Sequence, residues 1–149
     1  MLDIPRRRQP NAVTCLPTCV WCVLTFHGYS VDLDDIIEAC RLDSLGASDE
    51  LALQILREQW DVEEVHEFDP AFIRDALDDS RPLILTYNVA ELGIHTLGHA
   101  VVICDATEGA ITVMDPSFGD YYTLSWKDAE LLFGIEFNRG FFIAGIPEH

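Results

Sequence analysis

A chain of 149 residues, nearly half of them apolar and a tenth aromatic, can bury one substantial core, which excludes a disordered chain. Nine basic residues face 26 acidic ones for a net charge of −17, with Lys127 the only lysine, so the surface repels nucleic-acid phosphates and anionic membranes. No apolar run reaches the roughly 18–20 residues of a membrane helix, and no signal-peptide stretch follows the basic residues before Pro10. The expectation is one cytoplasmic domain over 1–149, with no nucleic-acid partner and no membrane insertion.

Residues 1–14 read as an extended lead-in, since Pro5 and Pro10 oppose regular structure. From Cys15 the run CLPTCVWCVLTFH reads as a helix. Pro17 is tolerated only in a first turn, which sets the start near Thr14 or Cys15. Apolar residues occupy nearly every position, the mark of a buried central helix, and Gly28 ends it. Amphipathic helices follow over 31–42 and 48–60, and a third over 69–80 is capped by Asp69 with Pro70 at its first position. Between the last two, 61–68 suggests a short edge strand.

After Pro82 the character changes. PLILTYNV, HAVVICDA, AITVMDP, YYTLSW and RGFFIAGI are rich in β-branched and aromatic residues and are separated by Gly, Asn and Asp. Glu108-Gly109 reads as a hairpin turn, and WKDAELLFG as a short helix before the last strand. Helices first and mostly antiparallel strands afterwards imply an α+β domain with a helical half and a sheet half.

An odd count of five cysteines argues against a disulfide framework. Cys15, Cys19 and Cys22 could imitate a metal site, but Cys40 and Cys104 stand alone and supply no second ligand pair. A cysteine nucleophile needs a favoured thiolate, a nearby base and fixed donors for the oxyanion. Cys15 meets the first need by its place at a helix start, where unpaired N–H groups and the dipole favour negative sulfur. Cys19 and Cys22 lie deeper in the apolar helix and read as inert buried thiols.

Among the histidines, His27 lies roughly 18 Å along the helix from Cys15. His66 falls in a charged segment and His149 is terminal. His99 opens a strand directly after Gly98, where a ring can stand over a cleft, whereas His95 reads as a loop or rim residue. Asp115 ends the strand ITVMD. A hairpin about Glu108-Gly109 sets His99 beside it, to within a residue or two.

Gln9-x5-Cys15 with Cys-Leu-Pro-Thr opening a helix, then Gly98-His99-Ala100-Val101-Val102-Ile103, then Asp115-Pro116-Ser117-x-Gly119, together resemble the bacteriocin-processing cysteine peptidases. These are papain-like domains of about this length that cut leader peptides after a double glycine. The resemblance runs from Gln9 to about Ile143. It implies a papain-like fold with Cys15 as nucleophile, His99 as general base and later acid, and Asp115 orienting the histidine. It also implies Gln9 as the side-chain donor of an oxyanion hole, with the Cys15 N–H as second donor. A neutral amide suits that role because it does not pair permanently with a thiolate. No metal or organic cofactor is implied, and the partner is a peptide or protein substrate in the cleft between the two halves.

The chain departs from the family in having Leu16 where Gly follows the nucleophile and Thr14 where an acidic residue precedes it. Leu16 is expected to narrow the cleft or change the residue accepted before the cut. Family members are typically fused to an ABC exporter. With neither membrane helices nor a GxxxxGK[ST] motif, a stand-alone domain is expected. The leading functional expectation is a peptidase or amide hydrolase acting through a Cys15 thioester. The same chemistry serves transpeptidation, ligation or deamidation, depending on whether water or an amine resolves the acyl-enzyme. A non-catalytic peptide-binding domain is a third reading, against which the joint presence of Gln9, Cys15, His99 and Asp115 argues.

Overall fold

The computed structural model describes residues 1–11, 14–40, 54, 56–87, 99–133 and 139–145. Its elements, in chain order, are α1 (Cys15–Phe26), α2 (Leu33–Cys40), β1 (Trp60–His66), α3 (Pro70–Asp78), β2 (Leu83–Tyr87), β3 (His99–Ala106), β4 (Ala110–Asp115), β5 (Asp120–Ser125), α4 (Trp126–Phe133) and β6 (Arg139–Gly145). The six strands form one antiparallel sheet in the order β1-β6-β2-β3-β4-β5. β1 and β5 are its edges, so the acidic segment after Trp60 is the edge strand its sequence suggests. Most of the helix expected over 48–60 lies outside the described residues. Gln54 and Leu56 are helical, and Trp60 belongs to β1 instead.

Alternation along the strands sorts the core onto both sheet faces. Ile84, Ala100, Val102, Cys104, Met114, Phe141 and Ile143 pack with the buried residues of α1 and α2. Leu83, Leu85, Val101, Ile103, Val113 and Phe142 pack with Ile73 and Ala76 of α3 and Ala129 of α4. The central strands are therefore covered on both sides, which explains their near-continuous apolar runs.

Local chemistry sets the helix ends. Pro17 is the third residue of α1, inside the first turn, where its missing N–H costs nothing. At the other end Gly28 takes φ +93°, and the Tyr29 N–H reaches back 3.0 Å to the Leu24 carbonyl, a left-handed cap. The Asp69 carboxylate accepts from the Phe72 N–H at 2.8 Å and Pro70 is the first residue of α3.

The lead-in is a strap across the sheet rather than a loose tail. Ile4 is fully buried, which contributes about 2 kcal/mol. The Leu2 N–H bonds the Cys104 carbonyl at 2.9 Å, and the Tyr121 hydroxyl donates to the Ile4 carbonyl. Arg6 pairs with Asp120 at 3.2 Å, and Arg7 lies over the Trp21 ring at 4.5 Å. The strap thus delivers Gln9 to the end of the sheet, where β4 stops.

Candidate active site

Three elements meet at one end of the molecule. The start of α1 brings Cys15, the start of β3 brings His99 and the end of β4 brings Asp115. Cys15 is 7% exposed at the head of α1. The Thr14 hydroxyl does not cap that helix; it donates back to the Asn11 carbonyl at 3.2 Å. His99 Nε2 lies 2.8 Å from Asp115 Oδ1, and both side chains are largely buried. With Nε2 engaged by the carboxylate, Nδ1 is the ring nitrogen left for the Cys15 thiol, with which His99 also hydrogen-bonds.

The route to this contact differs from the simple hairpin. The Glu108-Gly109 turn is present, held by the Thr107 N–H on the Ala110 carbonyl at 2.8 Å. Next to the turn the ladder is the symmetric one, with Ala106 facing Ile111 and Asp105 facing Thr112. An irregularity between Ile103 and Asp105 then puts one extra residue into β3, so that Val102 faces Met114. Continued to the start of β3, this register puts Ser117 level with His99, and Asp115 reaches the ring along the diagonal. Accordingly the Ser117 hydroxyl oxygen stands 3.2 Å from His99 Nε2.

Asp115 is enclosed by donors. The Ser117 N–H reaches Oδ1 at 2.9 Å, and the Tyr122 hydroxyl donates to Oδ2 at 3.2 Å. Burial raises its proton affinity, but the His99 hydrogen bond and charge, followed by Ser117, overcome that and hold the carboxyl below its usual range. For His99, burial works against the charged ring. Hydrogen bonds and charges from Asp115 and Cys15 outweigh it and push the imidazole up to about 9. His99 is therefore a cation at neutral pH.

The other thiols behave differently. Cys19 is completely buried, and burial first, then the charges of neighbouring groups, push it well above its ordinary value. Burial pushes Cys22 up to about 12 against the opposing charge of Arg7, Cys104 up to about 12 and Cys40 up to about 11. At neutral pH these four stay protonated and shielded. The run of cysteines thus separates into one thiol at the site and inert neighbours beneath it. Of the remaining histidines, His27 caps the far end of α1 and His66 pairs with Glu64 at 3.1 Å. His95 and His149 lie outside the described residues.

Gln9 is anchored next to the end of β4 by its backbone, whose N–H bonds the Pro116 carbonyl at 2.8 Å. Its side-chain Nε2 donates to the Asn11 carbonyl at 2.7 Å, and Oε1 is buried without a hydrogen-bond partner among the described residues. Gly119, at φ +64°, lets the turn after Asp115 close on the strap, since a Cβ there would stand 2.8 Å from the Arg8 nitrogen. Trp21 is structural, donating to the Val31 carbonyl at 3.0 Å beneath Arg7. Phe118, 71% exposed in the same turn as Ser117, is not packed. Sequence reasoning missed Ser117 and Tyr122 as partners of Asp115. The signals were there: Ser117 lies two residues after Asp115 in an Asp-Pro-Ser turn, and Tyr122 is on the same face as Asp115 of a short β4–β5 hairpin.

The antiparallel sheet packed on a buried central helix is a papain-like α+β fold. The chain belongs to the Peptidase_C39-like family, whose model matches residues 1–132. No curated protein matches it by sequence. Its fold is similar to the peptidase domain of Streptococcus ComA, a bifunctional ABC transporter of a quorum-sensing pathway. That match has a TM-score of 0.75 and 15% identity over 97% of this chain and 100% of that one. It is also similar to a double-glycine-motif protease from an AMS/PCAT transporter, solved with its leader peptide. There the TM-score is 0.73 at 15% identity, over 97% of this chain and 94% of that one. A Bacillus anthracis protein assigned to the C39-like peptidases gives 0.74 at 11% identity, over 99% and 96%. No described helix is long and apolar enough to cross a membrane.

Proposed function

We propose that this domain is a cysteine peptidase that cleaves a peptide bond through a thioester on Cys15, with leader peptides as its substrate class. One observation carries the reading: Cys15, His99 and Asp115, from three separate elements, meet with the imidazole held 2.8 Å from a buried carboxylate. The AMS/PCAT relative, solved with its leader peptide, supports a peptide in the cleft. Five free thiols without a disulfide suit a reducing, cytoplasmic setting.

The steps follow from the geometry. Cys15 sulfur, its proton passed to His99 Nδ1, attacks the scissile carbonyl carbon, and the carbonyl oxygen takes the negative charge. The Cys15 N–H and the second N–H of the Gln9 amide are the donors for that oxyanion. Collapse breaks the C–N bond as His99 Nδ1 gives its proton to the departing amine, leaving the acyl group on sulfur. His99 then takes a proton from water, whose oxygen displaces the thioester, and the carboxylic acid leaves. Throughout, Asp115 holds Nε2–H, so the ring keeps one tautomer and orientation.

The test is labelling of the purified protein by a peptide vinyl sulfone, with the modified residue located by mass spectrometry. Cys15 should carry the label, Cys15→Ala should take none, and a cleaved peptide should gain the mass of water. Label on Cys19 or Cys22 would sink the assignment. Peptide binding without turnover, unchanged in Cys15→Ala, would mark a binding domain, and gain of an amine instead of water would mark a transferase.

A further inference from the structure

The peptidase reading uses three side chains and an amide, and leaves Tyr122 without a task. Its hydroxyl meets Asp115 Oδ2 at 3.2 Å, while Oδ1 is taken by His99 at 2.8 Å and by the Ser117 N–H at 2.9 Å. β4 and β5 pair Asp115 with Asp120 and Val113 with Tyr122. Tyr122 is therefore the diagonal, same-face neighbour of Asp115. We infer that Tyr122 is a positioning residue, whose hydroxyl fixes the Asp115 carboxylate in the one orientation that presents Oδ1 to the His99 ring.

Asp115 is the last residue of its strand and is followed at once by a turn. Two soft torsions would let its carboxylate rotate away from the imidazole. The Ser117 N–H secures one oxygen but leaves the plane of the group undetermined. A donor on the second oxygen, brought by a different strand, removes that freedom. The Tyr122 proton is well suited to this, because burial, then the Asp115 charge, push the phenol above its ordinary range and keep it a donor. Among the described residues, the titratable groups that act on His99 are Asp115 from β4 and Cys15 from α1. Tyr122 acts only through Asp115. The inference deepens the peptidase reading and depends on it for its kinetic consequence, but not for its effect on His99.

The experiment follows the His99 ring by 15N NMR against pH, with His99→Gln supplying the assignment, in wild type and Tyr122→Phe. Wild-type His99 should titrate near 9. In Tyr122→Phe the midpoint should fall by about one pH unit or more toward the ordinary histidine value, as the carboxylate swings off the ring. On a fluorogenic peptide, kcat should fall roughly tenfold with KM little changed. Tyr121→Phe is the control: it removes the strap bond to the Ile4 carbonyl from the neighbouring position, and should lower the melting temperature without moving His99. Should Tyr122→Phe not fold, Tyr122→Leu takes its place, which likewise removes the donor on Asp115 Oδ2, with the same downward shift expected. An unchanged or raised His99 midpoint in the test variant overturns the inference, as does an equal fall in Tyr121→Phe. Wild type that turns over no peptide, with the His99 shift intact, refutes the peptidase reading and leaves the positioning role standing.

Discussion

The His99–Asp115 pair ties the stability of the fold to pH in a way that can be worked through. The imidazole is raised from its ordinary 6.5 to about 9 in the folded protein, and each tenfold step in proton affinity is worth about 1.4 kcal/mol, so the protonated ring contributes about 3 kcal/mol. At 16% exposure the His99 side chain is only lightly screened by solvent. A raised histidine contributes fully below its unfolded value, where both states bind the proton, and the contribution is lost as pH climbs through the folded value. The window of loss is therefore about 6.5 to 9. Asp115 is lowered, so on the acid side its contribution is present above its ordinary 3.8 and lost as pH falls. The His99 shift, to which Cys15 also contributes, and the Asp115 shift share one interaction and are not added. The assay is urea unfolding of wild type and His99→Gln at half-unit steps from pH 4 to 9.5, taking the difference so that other titrations cancel. That difference should be flat from about 4 to 6.5 and then shrink by about 3 kcal/mol by the alkaline end. A difference that stays level from pH 6 to 9.5, or grows, would refute the ion-pair reasoning.

Gly119→Ala should destabilise by about 2–3 kcal/mol in urea, because the left-handed φ and the 2.8 Å approach to Arg8 both resist a Cβ. It should also slow peptide cleavage by displacing Gln9. Asp69→Ala removes the cap of α3, remote from the site, and should cost about 1 kcal/mol with kcat unchanged. In thiol titration with an aromatic disulfide reagent, the native protein should show one fast thiol and the denatured protein five, with Cys15→Ala removing the fast phase. Two or more fast thiols in the native state would contradict the burial of Cys19 and Cys22.

The parts of the fold that were legible in the sequence are those dictated by neighbours along the chain. Pro17 fixed the start of α1, Asp69-Pro70 the start of α3, and the β-branched runs after Pro82 the five later strands. Cys15 was legible for the same reason, since its distinction from Cys19 and Cys22 follows from place along one helix. The β3–β4 register was not, because the irregularity between Ile103 and Asp105 inserts a residue that no local pattern announces. Asp115 still arrived at His99 because a strand end followed by a turn can reach a ring two positions away. The Tyr122 contact needed the β5 register as well, so it was out of reach until both hairpins were known.

The three consecutive arginines illustrate the same limit and give it a physical meaning. In the sequence, Arg6-Arg7-Arg8 is the one basic cluster on a strongly acidic chain, and it invites a search for an anionic partner. In the fold the first two are fasteners. Arg6 pairs with Asp120 and stands over Tyr121, and Arg7 covers Trp21, while the Arg8 backbone closes on Gly119. An exposed ion pair of this kind contributes at most about 1 kcal/mol, so the fully buried Ile4 holds the strap and the arginines set its path. That path ends with the Gln9 N–H on the Pro116 carbonyl, one residue past Asp115. The turn over 116–119 is thus gripped from two sides, by the strap on its outer edge and by Ser117 and Tyr122 around the carboxylate before it. Gln9 and Asp115, far apart in sequence and assigned to different steps of the chemistry, are held by one turn. A change that loosens it, such as Gly119→Ala, should therefore weaken oxyanion donation and histidine orientation together, not one without the other.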